Sequence, residues 1–261
     1  IMAPSDIFLV LGIVLSFFLS IIVMPIFRSI AIRIGLVDKP DHRKIHQNHI
    51  PLVGGLAIGF TLLLTLLLLA RFELISSALV KLLGGSYVLL IIGAIDDKKD
   101  IRASYKLVVQ LLCAIIIAMA GYRLTSFHGI LGIYDISLVA QYILSVILIT
   151  GVINAFNLMD GIDGLAGGLT LIGFMILATI SYYIGHEFYT MLCLIVAGSL
   201  ISFLRFNVFS HKNKIFMGDA GSLFLGFLMI GIAIDLINIA SKDAIGAEVI
   251  WLLPLIIAVF I

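Results

Sequence analysis

The chain has 261 residues, of which 62% are hydrophobic and 12% charged. A soluble globular domain is nearer half apolar and a quarter charged, so the composition excludes a soluble domain, a disordered chain and a nucleic-acid binder with a basic groove. Sixteen Lys and Arg oppose 15 Asp and Glu; a formal charge of +1 predicts no polyanionic partner by itself, and the position of each charge becomes informative.

A bilayer-crossing helix needs about 20 mostly apolar residues. Runs of this kind fall near 7–24, 52–70, 79–95, 107–120, 138–153, 165–184, 189–204, 222–240 and 248–261. They predict an all-α polytopic integral membrane protein with about nine transmembrane helices. The first run is too long, and too free of a small-residue cleavage site, for a plain signal peptide. No fixed-period repeat, low-complexity tract or Gly/Ser linker interrupts the sequence, so 1–261 reads as one membrane-embedded domain. Cys113 and Cys193 lie inside apolar runs with no Cys or His nearby and read as small buried hydrophobes.

Twelve of the 16 Lys and Arg fall in the odd-numbered loops and four in the even ones. That bias predicts cytoplasmic odd loops and an N-terminus outside. The ninth run then points inward and ends where a further cytoplasmic loop is due. The inner loops also hold eight of the 15 acids: Asp38, Asp41, Asp96, Asp97, Asp100, Asp160, Asp163 and Asp219. The outer acids are scattered and read as solvated, as do the outer His128 and His186. Asp235 falls within the eighth run but near its outer end, within reach of the headgroups, and is left outside the site.

In chain order, the first inner loop (38–55) is basic and His-rich, framed by Pro40 and Pro51. Arg43 and Lys44 disfavour a metal cation beside His46, so phosphate or lipid-headgroup contact competes with a simple positive-inside anchor. Gly54 and Gly55 suggest close backbone approach to a ligand or a neighbouring helix. Next, Asp96, Asp97 and Asp100 follow an apolar run; on a helix Asp96 and Asp100 share a face with Asp97 adjacent. Either a cation such as Mg²⁺ sits among them, or Lys98 and Lys99 neutralise a solvated cap. The stretch 154–165 holds Asn154, Asn157, Asp160 and Asp163 at spacings of three, with no Lys or Arg. If helical, these make one polar face; Gly161 and Gly164 argue for a break with exposed backbone, or for a tight Asp-Gly turn. Finally, Gly218-Asp219-Ala-Gly221-Ser222 opens the eighth run. Its free N–H groups either hold phosphate oxygens, with Asp219 as a metal ligand, or are simply capped.

The stretches RKIHQNHIPLVGG, AIDDKKD, NAFNLMDGIDGLAGG and KIFMGDAGS together resemble the polyprenyl-phosphate N-acetylhexosamine-1-phosphate transferases, and most of all their bacterial undecaprenyl-phosphate GlcNAc-1-phosphate branch. The resemblance implies that a UDP-N-acetylhexosamine passes its sugar-1-phosphate to undecaprenyl phosphate, with UMP leaving, as the first membrane step of cell-envelope glycan assembly. It implies Mg²⁺ (or Mn²⁺) bound by Asp219 and Asn157, and Asp96 and Asp97 on the lipid-phosphate side, with a disputed base role for Asp97. It places Asp160 and Asp163 beside the nucleotide and diphosphate, Phe216 on uracil and Lys106 near the phosphates. Arg43, Lys44, His46 and Asn154 are further substrate contacts on this reading. A bacterial cytoplasmic-membrane location and a homodimer are implied as well. Relatives carry another basic loop after the ninth run, where the charge alternation also places one, so 261 residues are expected to be a C-terminally truncated form of a longer protein. A secondary transporter is the first rival, but it calls for midplane charges and inverted repeats. An inactive scaffold in glycan assembly is the second.

Overall fold

A computed structural model describes residues 4–38, 49–69, 76–127, 134–210 and 212–240. In chain order the elements are α1 (Pro4–Ile34), β1 (Val37–Asp38), β2 (Ile50–Pro51), α2 (Gly54–Leu69), α3 (Ser77–Lys99), α4 (Ala103–Met119), α5 (Leu138–Met159), α6 (Leu165–Tyr183), α7 (Glu187–Asn207) and α8 (Gly218–Ala240). These helices sit on the first eight apolar runs; the ninth lies outside the described residues. Six, namely α1, α3, α5, α6, α7 and α8, are long and apolar enough to cross a membrane. The other two, α2 and α4, are apolar but shorter, at 16 and 17 residues.

Two details depart from the expectation. An antiparallel pair, Val37 opposite Pro51 and Asp38 opposite Ile50, adds a short ribbon to the helices. It flanks the His-rich loop, whose Arg43, Lys44 and His46 lie outside the described residues. In addition, α1 does not stop near residue 24. It runs 31 residues, about 46 Å at 1.5 Å per residue, well beyond a hydrocarbon core of roughly 30 Å. Arg28 and Arg33 are therefore helical residues. Arg ends an apolar run but propagates a helix well. Arg28 Nη2 then reaches the Lys212 carbonyl at 3.0 Å.

Helix starts follow local capping. The Ser76 hydroxyl accepts from Leu79 N–H at 3.2 Å to open α3, and Ser137 accepts from Ala140 N–H at 3.4 Å to open α5. His186 does the same for α7, its Nδ1 accepting from Tyr189 N–H at 3.3 Å while its ring stacks on Tyr189. It is thus a cap rather than a solvated loop residue. The Tyr189 hydroxyl donates to Asp235 and lies 3.2 Å from the Tyr122 hydroxyl, which explains a carboxylate at that depth of α8.

A helix that is apolar all round belongs inside a bundle. In α8, 83% of the most apolar stretch is buried, and in α7 78%, against 33% for α1 and α3. Helix α8 packs against α2, α3, α5 and α6; α7 packs against α1, α2 and α6. The outer helices turn Ile22, Ile91, Val108 and Ile147 outward, an apolar exterior suited to lipid. Small residues set two of the contacts with α8. A Cβ on Gly93 of α3 would lie 2.5 Å from the backbone of Ala220, and Gly55 of α2 meets Gly221 just as closely. Of the two partners left open for Gly54 and Gly55, the neighbouring helix is the one found for Gly55.

Candidate active site

Gly93 and Asp97 are four residues apart and share a face of α3. The close approach at Gly93 therefore delivers Asp97 to the N-terminus of α8. Its two oxygens accept from Asp219 N–H at 2.8 Å and Ala220 N–H at 3.1 Å. The first N–H groups of a helix have no partner within it, and a carboxylate there also suits the helix dipole. Asp97 is thus a cap supplied from another helix. The N–H groups of Asp219 and Ala220 are taken, which decides against their holding phosphate in this arrangement. Gly218, at φ +75, suits the turn into α8, and a Cβ there would meet Asp97 Oδ2 at 2.6 Å.

Lys106, in the first turn of α4, bridges two helices. Its Nζ lies 2.7 Å from Asp96 Oδ2 and 2.6 Å from Asp219 Oδ2. The other oxygen of Asp96 accepts from Ile101 N–H at 2.9 Å. The other oxygen of Asp219 accepts from the Asn157 amide at 2.8 Å, and the same amide donates to Ser222 Oγ at 3.0 Å. Asp100 does not join this group. It caps α3 at φ 50, exposed, because the helix ends before it can return to the Asp96 face.

Asp160 caps the C-terminus of α5. Burial, with the charges of Asp97 and Asp219 adding to it, pushes its carboxyl up to about 8, and a backbone hydrogen bond involving Gly218 offsets part of the rise. The four polar residues of 154–163 do not form one face. A helix turns about 100° per residue, so a spacing of three drifts by about 60° per step. Asn157 stays with the acids, whereas Asn154 turns toward α4 and donates to Gln110 Oε1 and Thr150 O, both at 2.8 Å. Asp163, past the break, is exposed and accepts from Lys214, which lies 5.4 Å over the Phe216 ring. The counterion missing locally is thus supplied by a segment 51 residues away.

Sequence reasoning missed two devices that join these segments. Buried Asn207, at the end of α7, accepts from Gly164 N–H at 2.7 Å and donates to Ile215 O at 3.0 Å. It ties the 160–164 loop to the 214–217 segment. Along the same segment, Gly54 N–H and Gly55 N–H donate to Phe216 O (2.8 Å) and Met217 O (3.0 Å), and Phe216 N–H donates to Pro51 O (2.9 Å). The signal for Asn207 was a lone amide closing an apolar run.

Among the described residues, no three His, Cys, Asp or Glu side chains form a ready metal cage. That does not exclude Mg²⁺, which takes one or two carboxylates and leaves the rest to phosphates and water. Hard oxygens and an excess of carboxylate over ammonium fit such an ion. Asn157 directs its NH₂ at Asp219, so its carbonyl oxygen is the atom left for a cation.

A bundle with six helices long and apolar enough to cross a membrane defines a multi-pass membrane protein, and Asp96, Asp97, Asp160 and Asp219 gather at one end of it. The chain belongs to glycosyl transferase family 4, whose sequence model matches residues 79–237. It is 36% identical over 221 residues to a probable undecaprenyl-phosphate N-acetylglucosaminyl 1-phosphate transferase of Bacillus subtilis, covering 84% of this chain and 60% of that protein. It is 32% identical over 247 residues to an undecaprenyl-phosphate alpha-N-acetylglucosaminyl 1-phosphate transferase of Yersinia pestis, covering 92% and 66%. To the protein of the same description in Escherichia coli K12 it is 31% identical over 232 residues, covering 87% and 62%. The chain thus spans roughly two thirds or less of the length of these relatives.

Proposed function

We propose that this chain carries the catalytic end of a transferase that moves N-acetylglucosamine-1-phosphate, or a related N-acetylhexosamine-1-phosphate, from a UDP-sugar to undecaprenyl phosphate. The carrying observation is the gathering of Asp96, Asp97, Asp160 and Lys106 about Asp219 at one end of the bundle. In the reaction an oxygen of the lipid phosphate attacks the phosphorus that bears the sugar. The bond from that phosphorus to the UMP oxygen breaks, and UMP leaves. Asp219, with Asn157, would hold Mg²⁺, which when bound offsets repulsion between the two anionic substrates.

The chain's own residues have separate tasks. Asp97 positions Asp219 by holding the α8 N-terminus. A lipid phosphate with a second pKa near 6 is already mostly ionised at neutral pH, so a base is not required. Lys106 offers an ammonium to phosphate oxygens. Phe216, held by backbone pairing to residues 51–54, presents its ring to the uracil, with Asp163 and Lys214 at the rim. The His-rich loop adds Arg43, Lys44 and His46 as phosphate contacts. The Lys and Arg distribution supports a cytoplasmic position for this end, and the bacterial relatives support the cytoplasmic membrane.

The test incubates purified protein, expressed from its complete reading frame, with undecaprenyl phosphate, radiolabelled UDP-GlcNAc and Mg²⁺. Label should enter the lipid with UMP released in equal amount. No lipid product with any UDP-N-acetylhexosamine would overturn the proposal.

A further inference from the structure

A divalent cation at Asp219 and the ammonium of Lys106 compete for the same oxygen. Lys106 Nζ lies 2.6 Å from Asp219 Oδ2, hydrogen-bond contact for an ammonium and a position a bound cation would contest. Two positive charges at contact distance repel strongly in a partly buried site. The two ends of the lysine bridge are unequal. Asp96 is only 8% exposed, and its second oxygen is fixed by Ile101 N–H. Asp219 is 30% exposed, and its second oxygen holds the Asn157 amide. A cation therefore gains access at Asp219, while Asp96 keeps its hold on the lysine.

We infer that Lys106 is a stand-in for the divalent cation: without the ion it clamps Asp96 to Asp219, and it releases Asp219, staying on Asp96, when the ion binds. The inference rests on the reading of Asp219 as the ion's ligand. The clamp keeps carboxylates from α3 and α8 at binding distance when no ion is there to offset their repulsion. The exchange also frees an ammonium donor beside the ion at the moment phosphates arrive. A lysine suits both tasks, since its three donors rotate on a flexible stem.

The measurement is Mn²⁺ binding to the substrate-free protein in detergent, followed by electron paramagnetic resonance. Lys106→Gln removes the competitor and should tighten Mn²⁺ binding about tenfold or more, with Mn²⁺ raising its Tm by more than that of the wild type. Lys106→Arg, whose planar fork grips carboxylates harder, should weaken binding several-fold. A folded Lys106→Gln that binds Mn²⁺ equally or more weakly overturns the inference, because a lysine that only braces the site would leave Asp219 looser when lost. Should that variant fail to fold, Lys106→Arg decides alone, and binding as tight as the wild type overturns it. Equal Mn²⁺ binding by wild type and Asp219→Asn would instead remove the reading beneath it.

Discussion

Asp97 gives both carboxylate oxygens to α8, and this separates a positioning role from a base role. An Asn keeps one acceptor oxygen for the two N–H groups and turns its NH₂ toward the other, whereas Ala keeps no acceptor. Asp97→Ala should lower turnover by more than about tenfold, and Asp97→Asn should recover part of that loss. Equal loss in both variants, measured as kcat of folded protein, would return Asp97 to base chemistry. Asp160 contributes a pH dependence. Burial, reinforced by the Asp97 and Asp219 charges, raises its carboxyl from 3.8 to about 8. The folded protein then holds a proton that the unfolded chain releases, so this stabilising contribution is present at low pH and is lost as pH rises from about 4 through 8. A bound cation favours the ionised form. Mg²⁺ binding at about pH 7 should therefore release a proton and tighten as pH rises from about 6 to 8. Titration in weak buffer checks this; a release unchanged in Asp160→Asn would remove Asp160 as its source.

At the scale of elements, Gly93 aligns α3 with α8, and Gly84 of the same helix meets nothing within 4 Å. Gly93→Ala should cost about 1–3 kcal/mol by overpacking and pull Asp97 from its two N–H partners, lowering turnover. Gly84→Ala should leave activity intact and stabilise the helix by up to about 1 kcal/mol. Denaturation and kinetics of the pair check this; equal behaviour of the two variants would refute it. Eight helices were legible because apolar runs are local, and the acid motifs because each is contiguous. The α1 extension was not, since Arg28 and Arg33 mimic a loop to any count of charges. The drift of Asn154 toward Gln110 followed from helical pitch and could have been computed. The Asp97 cap and the Asn207 bridge could not: they join residues 122 and 43 positions apart, and local periodicity carries no record of such pairs.

Among the described residues, Asp96, Asp97, Asp160 and Asp219 sit at one end of the bundle while Tyr189, Asp235 and His186 sit at the other. The charge bias predicts a cytoplasmic position for the first end. Both native cysteines are buried, so introduced ones report cleanly. Asn213→Cys should react with an impermeant maleimide in inverted vesicles, and Tyr183→Cys in intact cells; the reverse pattern would overturn the orientation. The acids, the lysine and the backbone pairing of residues 51–55 with 216–217 serve one purpose in this account: to present Asp219 at the mouth of the bundle. Lipid-linked product formed by Asp219→Asn is its most direct measure. Transfer of labelled sugar-phosphate to undecaprenyl phosphate should fall by more than about a hundredfold while the protein keeps its thermal transition. Near-normal transfer by the folded variant would contradict the account.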